Sequence, residues 1–314
     1  MGRLTFGDIT AAVARAAADA PAAPASLTGW RAGFRVGSDT FSSALEGGLR
    51  AGQLAFCFAA GYQAALRRLV PLLPADAFAA LLVTEGKKQR PEDLQTVLTP
   101  QPGGGFRLDG EKSWVAGGQA ADVLLVLART GVLADGRTGA ALVMLPAGHE
   151  GVALEEKPAT GFLDAVPHAR GRFTAVVVMP DMLLPGDGWR DHARPFRTHE
   201  DIHVSTAVAA HLAVHAVRAR WPDAVLASLL AALDRLAECA AGDARDPRVH
   251  LLLAGAEQEL AQVAARMPAL PDDHDDAFAR DWRSNGMLMT LAVPARIRRL
   301  EKARLSIFPD TSRS

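Results

Sequence analysis

The sequence contains few cysteines. Only Cys57 and Cys239 occur among 314 residues, and they are far apart in the chain. A disulfide framework or a zinc site needs more thiols at closer spacing, so we expect neither. So few cysteines also suit a reducing compartment, and we predict a cytoplasmic protein.

The sequence also lacks an excess of charge of one sign. Lys and Arg number 34 against 35 Asp and Glu, which gives a formal net charge of -1. Because nucleic acids and anionic membranes attract basic proteins, we predict neither as a partner. An anionic ligand would have to be bound by a local cluster of cations.

Long hydrophobic runs are missing as well. The longest, over residues 54–66, is interrupted by Gly61 and Gln63 and is too short to span a bilayer. The Ala-rich start carries Asp8, Arg15 and Asp19, so it lacks the uninterrupted apolar segment of a signal peptide. We therefore expect no membrane segment.

Hydrophobic residues are nevertheless plentiful, at 49% of the chain, which is enough for a sizeable core. Their spacing is helical over residues 1–80, strand-like over 81–190 and helical again over 191–314. The middle segments follow one another without long helices, which favours a sandwich or barrel over a Rossmann domain. We predict an α+β fold with a reduced N-terminal helical region, a β-barrel-like middle domain and a C-terminal helical bundle.

Local signals refine this prediction. The Pro-Gly-Gly-Gly sequence at residues 102–105 separates two strand-like segments and predicts a β-hairpin. The segment DVLLVLA is apolar throughout, so both faces of that strand should be covered. In the C-terminal region, long helical segments end near Pro222, Gly242 and Pro268, and a last helical stretch covers about residues 277–305.

Three segments of the middle region resemble the acyl-CoA dehydrogenase family. They occur in the family's order and at its separations, which makes the combined match specific although each string alone is weak. The segments are LLVTEG at Leu81–Gly86, DGEKSWVAGGQAADVLLVLART at Asp109–Thr130 and RFTAVVVMPDMLLPGDGW at Arg172–Trp189. The resemblance covers the central third well and the flanking helices only by pattern.

The resemblance implies that the middle domain binds FAD. In the family, the Thr of Thr-Glu-Pro contacts the flavin edge and a Trp flanks the ring, and these positions match Thr84 and Trp114. With their neighbours Val83, Val115 and Ala116 they form the predicted cofactor site. The alternative without a cofactor is that Thr84 is an edge-strand residue and Trp114 packs in the core.

The resemblance also suggests a catalytic base. α,β-Dehydrogenation of an acyl thioester needs a carboxylate that removes the α proton, and some branches of the family place a Glu at the start of the first long C-terminal helix. Glu200 matches that position, although Asp201 stands where these branches have Arg. Alternatively, Glu200 only stabilises the first turn of the helix through the helix dipole.

Four features depart from the family pattern. Ala116 replaces a hydroxyl residue and cannot donate a hydrogen bond to the flavin. The usual Gly-Ser-Asp is replaced by a loop, residues 86–93, with cations at Lys87, Lys88 and Arg90 that either bind a phosphate or are simply solvated. A Gly-Gly segment and the common catalytic Glu are not found near the C-terminus, and the N-terminal helical region looks abbreviated.

These observations leave three functional hypotheses. The first is an FAD-dependent acyl-CoA dehydrogenase that acts on acyl-CoA as a homodimer or higher oligomer. The second is a degenerate family member that serves as a partner subunit or a thioester-binding protein. The third is a flavin-dependent monooxygenase of the same fold.

Other clusters are expected to be structural. The pairs His199/His203 and His211/His215 have metal-ligand spacing but lack an HExxH pattern, so we predict packed or surface histidines and no metal. The acidic run at residues 272–276 lacks the Gly and terminal Glu of an EF-hand and is expected to be a solvated turn. The basic stretch at residues 296–304 is predicted to be an amphipathic helix with a charged outer face.

Overall fold

The computed structural model of the chain describes residues 3–19, 23–37, 39–86, 90–267, 276–290 and 293–309. The chain divides into two compact units. One unit is Leu69–Arg197, and the other combines Met1–Arg68 with Thr198–Ser314. Helices precede and follow a middle sheet, which confirms the predicted α+β fold class. The acidic run at 272–275 and the pair Lys87 and Lys88 lie outside the described residues.

The middle unit contains a single mixed sheet of seven strands. The strands are β1 (Ala79–Leu82), β2 (Val97–Pro100), β3 (Phe106–Ala116), β4 (Val123–Val132), β5 (Thr138–Pro146), β6 (Val152–Glu156) and β7 (His168–Val178). Their spatial order is β1-β4-β2-β3-β7-β6, and β5 also pairs with β4. Both β1 and β2 run parallel to β4, whereas the other pairs are antiparallel.

β1 and β2 lie end to end between β4 and β3. Both strands pair with β4 on the edge opposite β5, and β2 also pairs with β3. The chain that follows β1 reaches β3 as well, because the backbone N–H of Ser113 donates to the carbonyl oxygen of Thr84 at 2.8 Å. This hydrogen bond places Thr84 beside the part of β3 that contains Ser113 and Trp114.

The predicted hairpin is confirmed in β2 and β3. Residues Gly103, Gly104 and Gly105 have φ values of +90°, +99° and +74°, which residues with a Cβ rarely adopt. The turn is held by hydrogen bonds between Gln101 and both Gly104 and Gly105. The sequence of three glycines therefore encodes the turn directly.

The core of the middle unit is formed by side chains from six of the strands. β4 has five consecutive buried residues, Leu124 to Ala128, as its apolar sequence predicted. Leu98, Leu108, Val115, Val143, Phe173 and Val176 complete most of the remaining volume. The alternation of buried and exposed residues along β7 shows that this strand has one face on the core and one in solvent.

The helical unit contains nine α-helices among the described residues. They are α1 (Phe6–Asp19), α2 (Leu27–Gly33), α3 (Thr40–Leu49), α4 (Leu54–Leu69), α5 (Arg194–Arg218), α6 (Asp223–Ala241), α7 (Pro247–Arg266), α8 (Asp276–Asn285) and α9 (Val293–Ile307). Both α4 and α5 cross the boundary with the middle unit by a few residues. None of the described helices is long and apolar enough to cross a membrane.

Small residues let α3 and α4 approach α5 closely. A Cβ added to Gly61 would lie 2.4 Å from Cα of Val204, and one added to Gly48 would lie 2.6 Å from Cα of Ala207. Contacts this short are not tolerated between real atoms. The two glycines are therefore required for this packing, and α4 is buried along most of its length.

Two helical predictions differ from the structure in detail. The last stretch is two helices with a 3₁₀ turn between them, Gly286–Met289, rather than one helix. Pro294 lies in the first turn of α9, where its missing N–H is not needed, so a new helix begins there. Gly242 does cap α6, but with a φ of -81° rather than in the left-handed region.

The prediction of a charged outer face for residues 296–304 is wrong in part. Arg298, Lys302 and Arg304 are exposed. Arg296 and Arg299 instead turn inward, with only 15% and 21% of their side chains exposed. They do so because largely buried carboxylates of α5 and α7 form ion pairs with their guanidinium groups.

Candidate functional site

Ser113, which precedes Trp114 in the chain, connects Trp114 to Thr84. Its N–H donates to the carbonyl oxygen of Thr84, and its Oγ accepts from the N–H of Gly86 at 2.8 Å. Thr84 is half-buried, and Trp114 retains 43% of its surface exposed. Two of the five residues that the family resemblance assigns to the cofactor therefore lie on adjacent backbone segments.

Trp114 is exposed because β3 is irregular at this point. The register between β3 and β7 shifts between Lys112 and Val115, where a β-bulge interrupts the ladder. Lys112 and Val115 are both fully buried, although an uninterrupted strand would place them on opposite faces. The bulge turns the indole of Trp114 out of the core, a common use of bulges beside functional sites.

A cation and a second ring surround the indole. The Nζ of Lys157 lies 3.4 Å from the centroid of the Trp114 ring and donates to the carbonyl oxygen of Ser113 at 3.1 Å. The ring of His168 meets the indole edge-on, with centroids 5.6 Å apart. Burial, and then the nearby Lys157 ammonium, lower the pKa of His168, so its imidazole is neutral at pH 7.

A buried ion pair lies beneath these residues. The Nζ of Lys112 donates to Oε1 of Glu85 at 2.6 Å and to the carbonyl oxygen of Val83 at 3.4 Å. Glu85 also accepts from the backbone N–H groups of Gln95 and Thr96. Burial lowers the pKa of Lys112 to about 8, although the carboxylate opposes this shift. The pair thus ties the backbone at Val83 to both β2 and β3.

The pKa of Glu85 is lowered, which keeps the pair ionised at pH 7. Burial alone would raise it, but the charge of Lys112 and the hydrogen bonds from Lys112, Gln95 and Thr96 together outweigh that effect. An ionised, fully hydrogen-bonded carboxylate is a rigid anchor because its oxygens are held from several directions.

The remaining predicted cofactor residues are more buried than Trp114. Val115 is fully buried and belongs to the hydrophobic core. Ala116 is 9% exposed and pairs with His168 in the β3–β7 ladder. Val83 is half-buried, with its carbonyl oxygen directed to Lys112. Their contact with a cofactor stays a prediction.

Glu200 lies in the second turn of α5, in the helical unit, and is half-buried. The adjacent Asp201 is only 4% exposed and accepts hydrogen bonds from Arg296 and Arg299 of α9, at 3.1 Å and 2.5 Å. Asp201 stands where some branches of the family have an arginine next to the Glu. In this chain, the guanidinium groups near that position come from α9.

The histidine pairs of α5 are packed inside the helical unit. Nδ1 of His203 bonds to the carbonyl oxygen of His199 at 2.7 Å, and its Nε2 accepts from the hydroxyl of Thr40 at 2.9 Å. His215 stacks on Phe278, with centroids 3.6 Å apart. Within the described ranges, no group of three or more His, Cys, Asp or Glu side chains could hold a metal ion.

The buried histidines predict a pH dependence of stability. Burial lowers the pKa of His203 to about 4, below the ordinary 6.5. Between pH 6.5 and 4 the unfolded chain binds a proton that the folded chain does not, so folding stability is lost as the pH falls through this range. We expect the free energy of unfolding to fall by up to about 1.4 kcal/mol per pH unit from this residue.

Urea titrations at pH 7.0, 6.0 and 5.0 test this prediction by comparing the wild type with His203→Gln. The variant should lose stability less steeply on acidification. His149→Gln, which changes a partly exposed histidine of the middle unit, is the control and should follow the wild type. Equal slopes in the wild type and in His203→Gln would contradict the assignment.

Sequence reasoning missed Glu85, Lys112, Ser113, Lys157 and His168. A signal existed for three of them, because Glu85, Lys112 and Ser113 lie inside the segments that carry the family resemblance. A lysine at a strand position whose side chain faces the core is unusual and requires a carboxylate partner. Lys157 and His168 lie outside those segments and carry no local signal.

Comparison with known proteins supports the middle domain directly. Residues 80–176 match the family model for the acyl-CoA dehydrogenase middle domain. This range contains Thr84, Lys112, Trp114, Lys157 and His168. The resemblance of the middle region to this family is thereby confirmed.

Solved structures extend the likeness to the fold of the whole chain. Butyryl-CoA dehydrogenase from Megasphaera elsdenii superposes with a TM-score of 0.72 at 14% identity, over 97% of this chain and 100% of that chain. Dibenzothiophene monooxygenase TdsC from Paenibacillus sp. A11-2 superposes with a TM-score of 0.65 at 19% identity, over 85% and 83%. TdsC is also known in an FMN-bound form.

No curated protein matches the sequence in a direct search. Identities of 14% and 19% establish a common fold and not a common substrate. Residues 80–176 thus form an acyl-CoA dehydrogenase middle domain, in a chain that has the fold of the acyl-CoA dehydrogenase family.

Proposed function

We propose that the protein is an FAD-dependent oxidoreductase of acyl-CoA dehydrogenase type that carries out α,β-dehydrogenation of an acyl thioester. The observation that carries this proposal is the exposed indole of Trp114 next to Thr84, within the segment that matches the family. An exposed aromatic face beside backbone groups and a hydroxyl suits a flat heteroaromatic ring.

The donor set of the site fits a flavin. The indole of Trp114 offers a ring to stack on, and the half-buried Thr84 has a hydroxyl that can bond a polar ring edge. The family resemblance also assigns Val83, Val115 and Ala116 to the site. The methyl group of Ala116 cannot donate, so any contact at that position is made by its backbone.

A bound flavin would supply the acceptor for the hydride that leaves the β carbon. The chain itself must supply the base for the α proton, and Glu200 is the proposed base. The Lys112–Glu85 pair would hold the backbone of Val83 and Thr84 in place without touching the substrate. Acyl-CoA is the proposed substrate because the family resemblance implies a thioester.

A flavin titration tests the proposal. Purified protein mixed with FAD should turn yellow, and quenching of flavin fluorescence should give the dissociation constant. Trp114→Ala should weaken FAD binding at least about tenfold, because it removes the stacking surface. Trp282→Ala in α8 is the control and should bind FAD like the wild type.

The opposite result would favour the second hypothesis. A protein that stays colourless with both FAD and FMN binds no flavin and would be a partner subunit or thioester-binding protein. Isothermal titration with an acyl-CoA would then show whether the thioester alone is bound.

A monooxygenase is the second candidate that the observations favour. TdsC, a monooxygenase with an FMN-bound structure, shares the fold with a TM-score of 0.64 to 0.65. The two activities separate in one experiment under anaerobic conditions. A dehydrogenase is bleached by acyl-CoA alone, whereas a monooxygenase is not bleached by acyl-CoA and must be reduced externally. Once air is admitted, the reduced monooxygenase consumes oxygen with its substrate.

We also propose that the protein forms a homodimer or a higher oligomer. Helix α9 exposes Ile297 and Leu300, one turn apart, at 59% and 37%, and Phe308 just after the end of the helix is 61% exposed. Exposed apolar residues in a row are typical of a surface that another chain covers. In sedimentation velocity, the wild type should have a mass above that of one chain. Ile297→Asp, which places a charge on this surface, should have a lower mass.

A further inference from the structure

The ammonium group of Lys157 has an unusual set of neighbours. It rests on the face of the Trp114 indole and on the carbonyl oxygen of Ser113. Within the described part of the chain it contacts no carboxylate. A lysine ammonium has three donors, and these two neighbours engage it only through a ring face and one oxygen atom. Its positive charge is therefore not neutralised by a counter-charge.

The position of this charge is held from both sides. The backbone N–H of Lys157 donates to the carbonyl oxygen of His168 at 2.8 Å, which anchors its main chain to the start of β7. The side chain then reaches Ser113 and Trp114 on β3. His168 contacts the same indole edge-on and is only partly exposed. These contacts hold the ammonium group of Lys157 in a fixed position, whereas an ordinary surface lysine extends into solvent.

Part of the indole remains open. Lys157 covers one face and His168 meets an edge, yet 43% of Trp114 is exposed. A flat ring that stacked on the exposed part of the indole would have the fixed positive charge of Lys157 nearby.

We propose that Lys157 is a positioning residue that orients the Trp114 indole and supplies the positive charge that favours the reduced, anionic form of a bound flavin. This inference rests on the proposed flavin site. Two-electron reduction leaves negative charge on the pyrimidine edge of the flavin, and a nearby cation stabilises that form more than the neutral oxidised form. The effect is electrostatic and does not require Lys157 to touch the flavin.

The test compares flavin affinities in two redox states. Lys157→Met should bind oxidised FAD about as well as the wild type and bind reduced FAD about tenfold more weakly, which also lowers the midpoint potential of the bound flavin. Lys157→Arg should restore the preference for reduced FAD. Lys302→Met, which removes an exposed lysine of the helical unit, is the control and should behave like the wild type.

A second measurement needs no cofactor. Acrylamide quenching of Trp114 fluorescence, taken as the difference from a Trp114→Phe background, should increase in Lys157→Met because one face of the indole becomes uncovered. Unchanged quenching would overturn the orientation of the indole by Lys157.

The possible failures are distinguishable. If the wild type binds no flavin, the proposed function fails and this inference fails with it. If flavin binds with the same ratio of affinities in the wild type and in Lys157→Met, only the role of Lys157 is overturned.

Discussion

Replacing Glu200 by Gln is expected to abolish the bleaching of bound flavin by acyl-CoA. Gln is almost isosteric with Glu but cannot accept a proton at neutral pH, so the α proton would have no base. General-base catalysis of this kind contributes a factor of about 100 to 10,000. We expect the anaerobic bleaching rate, followed by stopped-flow absorbance, to fall by at least about 100-fold.

The same experiment must show that the site is otherwise intact. Glu200→Gln should still bind FAD and acyl-CoA with affinities close to those of the wild type, because the change removes a charge and little volume. Glu238→Gln alters an exposed glutamate of α6 and is the matched control. A Glu200→Gln protein that bleaches at the wild-type rate would show that Glu200 is not the base.

Replacing Lys112 by Met is expected to cause the largest loss of stability. The lysine is fully buried and the side chain of Glu85 is 9% exposed, so the substitution leaves an anion in the core without its counter-charge. Breaking a buried pair from one side costs about 3 to 5 kcal/mol. The free energy of unfolding, measured by urea titration at pH 7, should fall by that amount.

Two further variants separate the charge from the packing. Lys112→Met combined with Glu85→Gln removes both charges and should recover part of the lost stability, because no unpaired ion remains buried. Arg172→Met breaks an exposed pair with Glu111 in the same unit, and it should change stability much less than Lys112→Met. If Lys112→Met and Arg172→Met were equally stable, the buried pair would contribute no more to folding stability than the exposed one.

Local sequence predicted most of the secondary structure because local physics determines it. Three glycines with positive φ specify the turn between β2 and β3, and five consecutive apolar residues specify the buried part of β4. The family resemblance also assigned Thr84 and Trp114 to a cofactor site, and the structure connects their backbones through Ser113, while the binding of a cofactor stays a prediction. The role of Glu200 stays a prediction.

Tertiary contacts decided which face each critical side chain occupies. Strict alternation along β3 would put Trp114 on the same face as the buried Lys112, and the bulge that reverses this depends on pairing with β7. Likewise, the inward turn of Arg296 and Arg299 depends on Asp201, 95 and 98 residues earlier in the chain. A window of local sequence contains neither partner.

The sequence alone thus determined the order of helices and strands, the hairpin turn and the family of the middle domain, since these depend on residues close together in the chain. Contacts between segments far apart in the chain determine the rest: Trp114 is exposed, Lys157 lies on its indole, and Lys112 forms an ion pair with Glu85. The physical reason is that the energy of a charge or a ring is set by what surrounds it in space, and those neighbours come from distant segments.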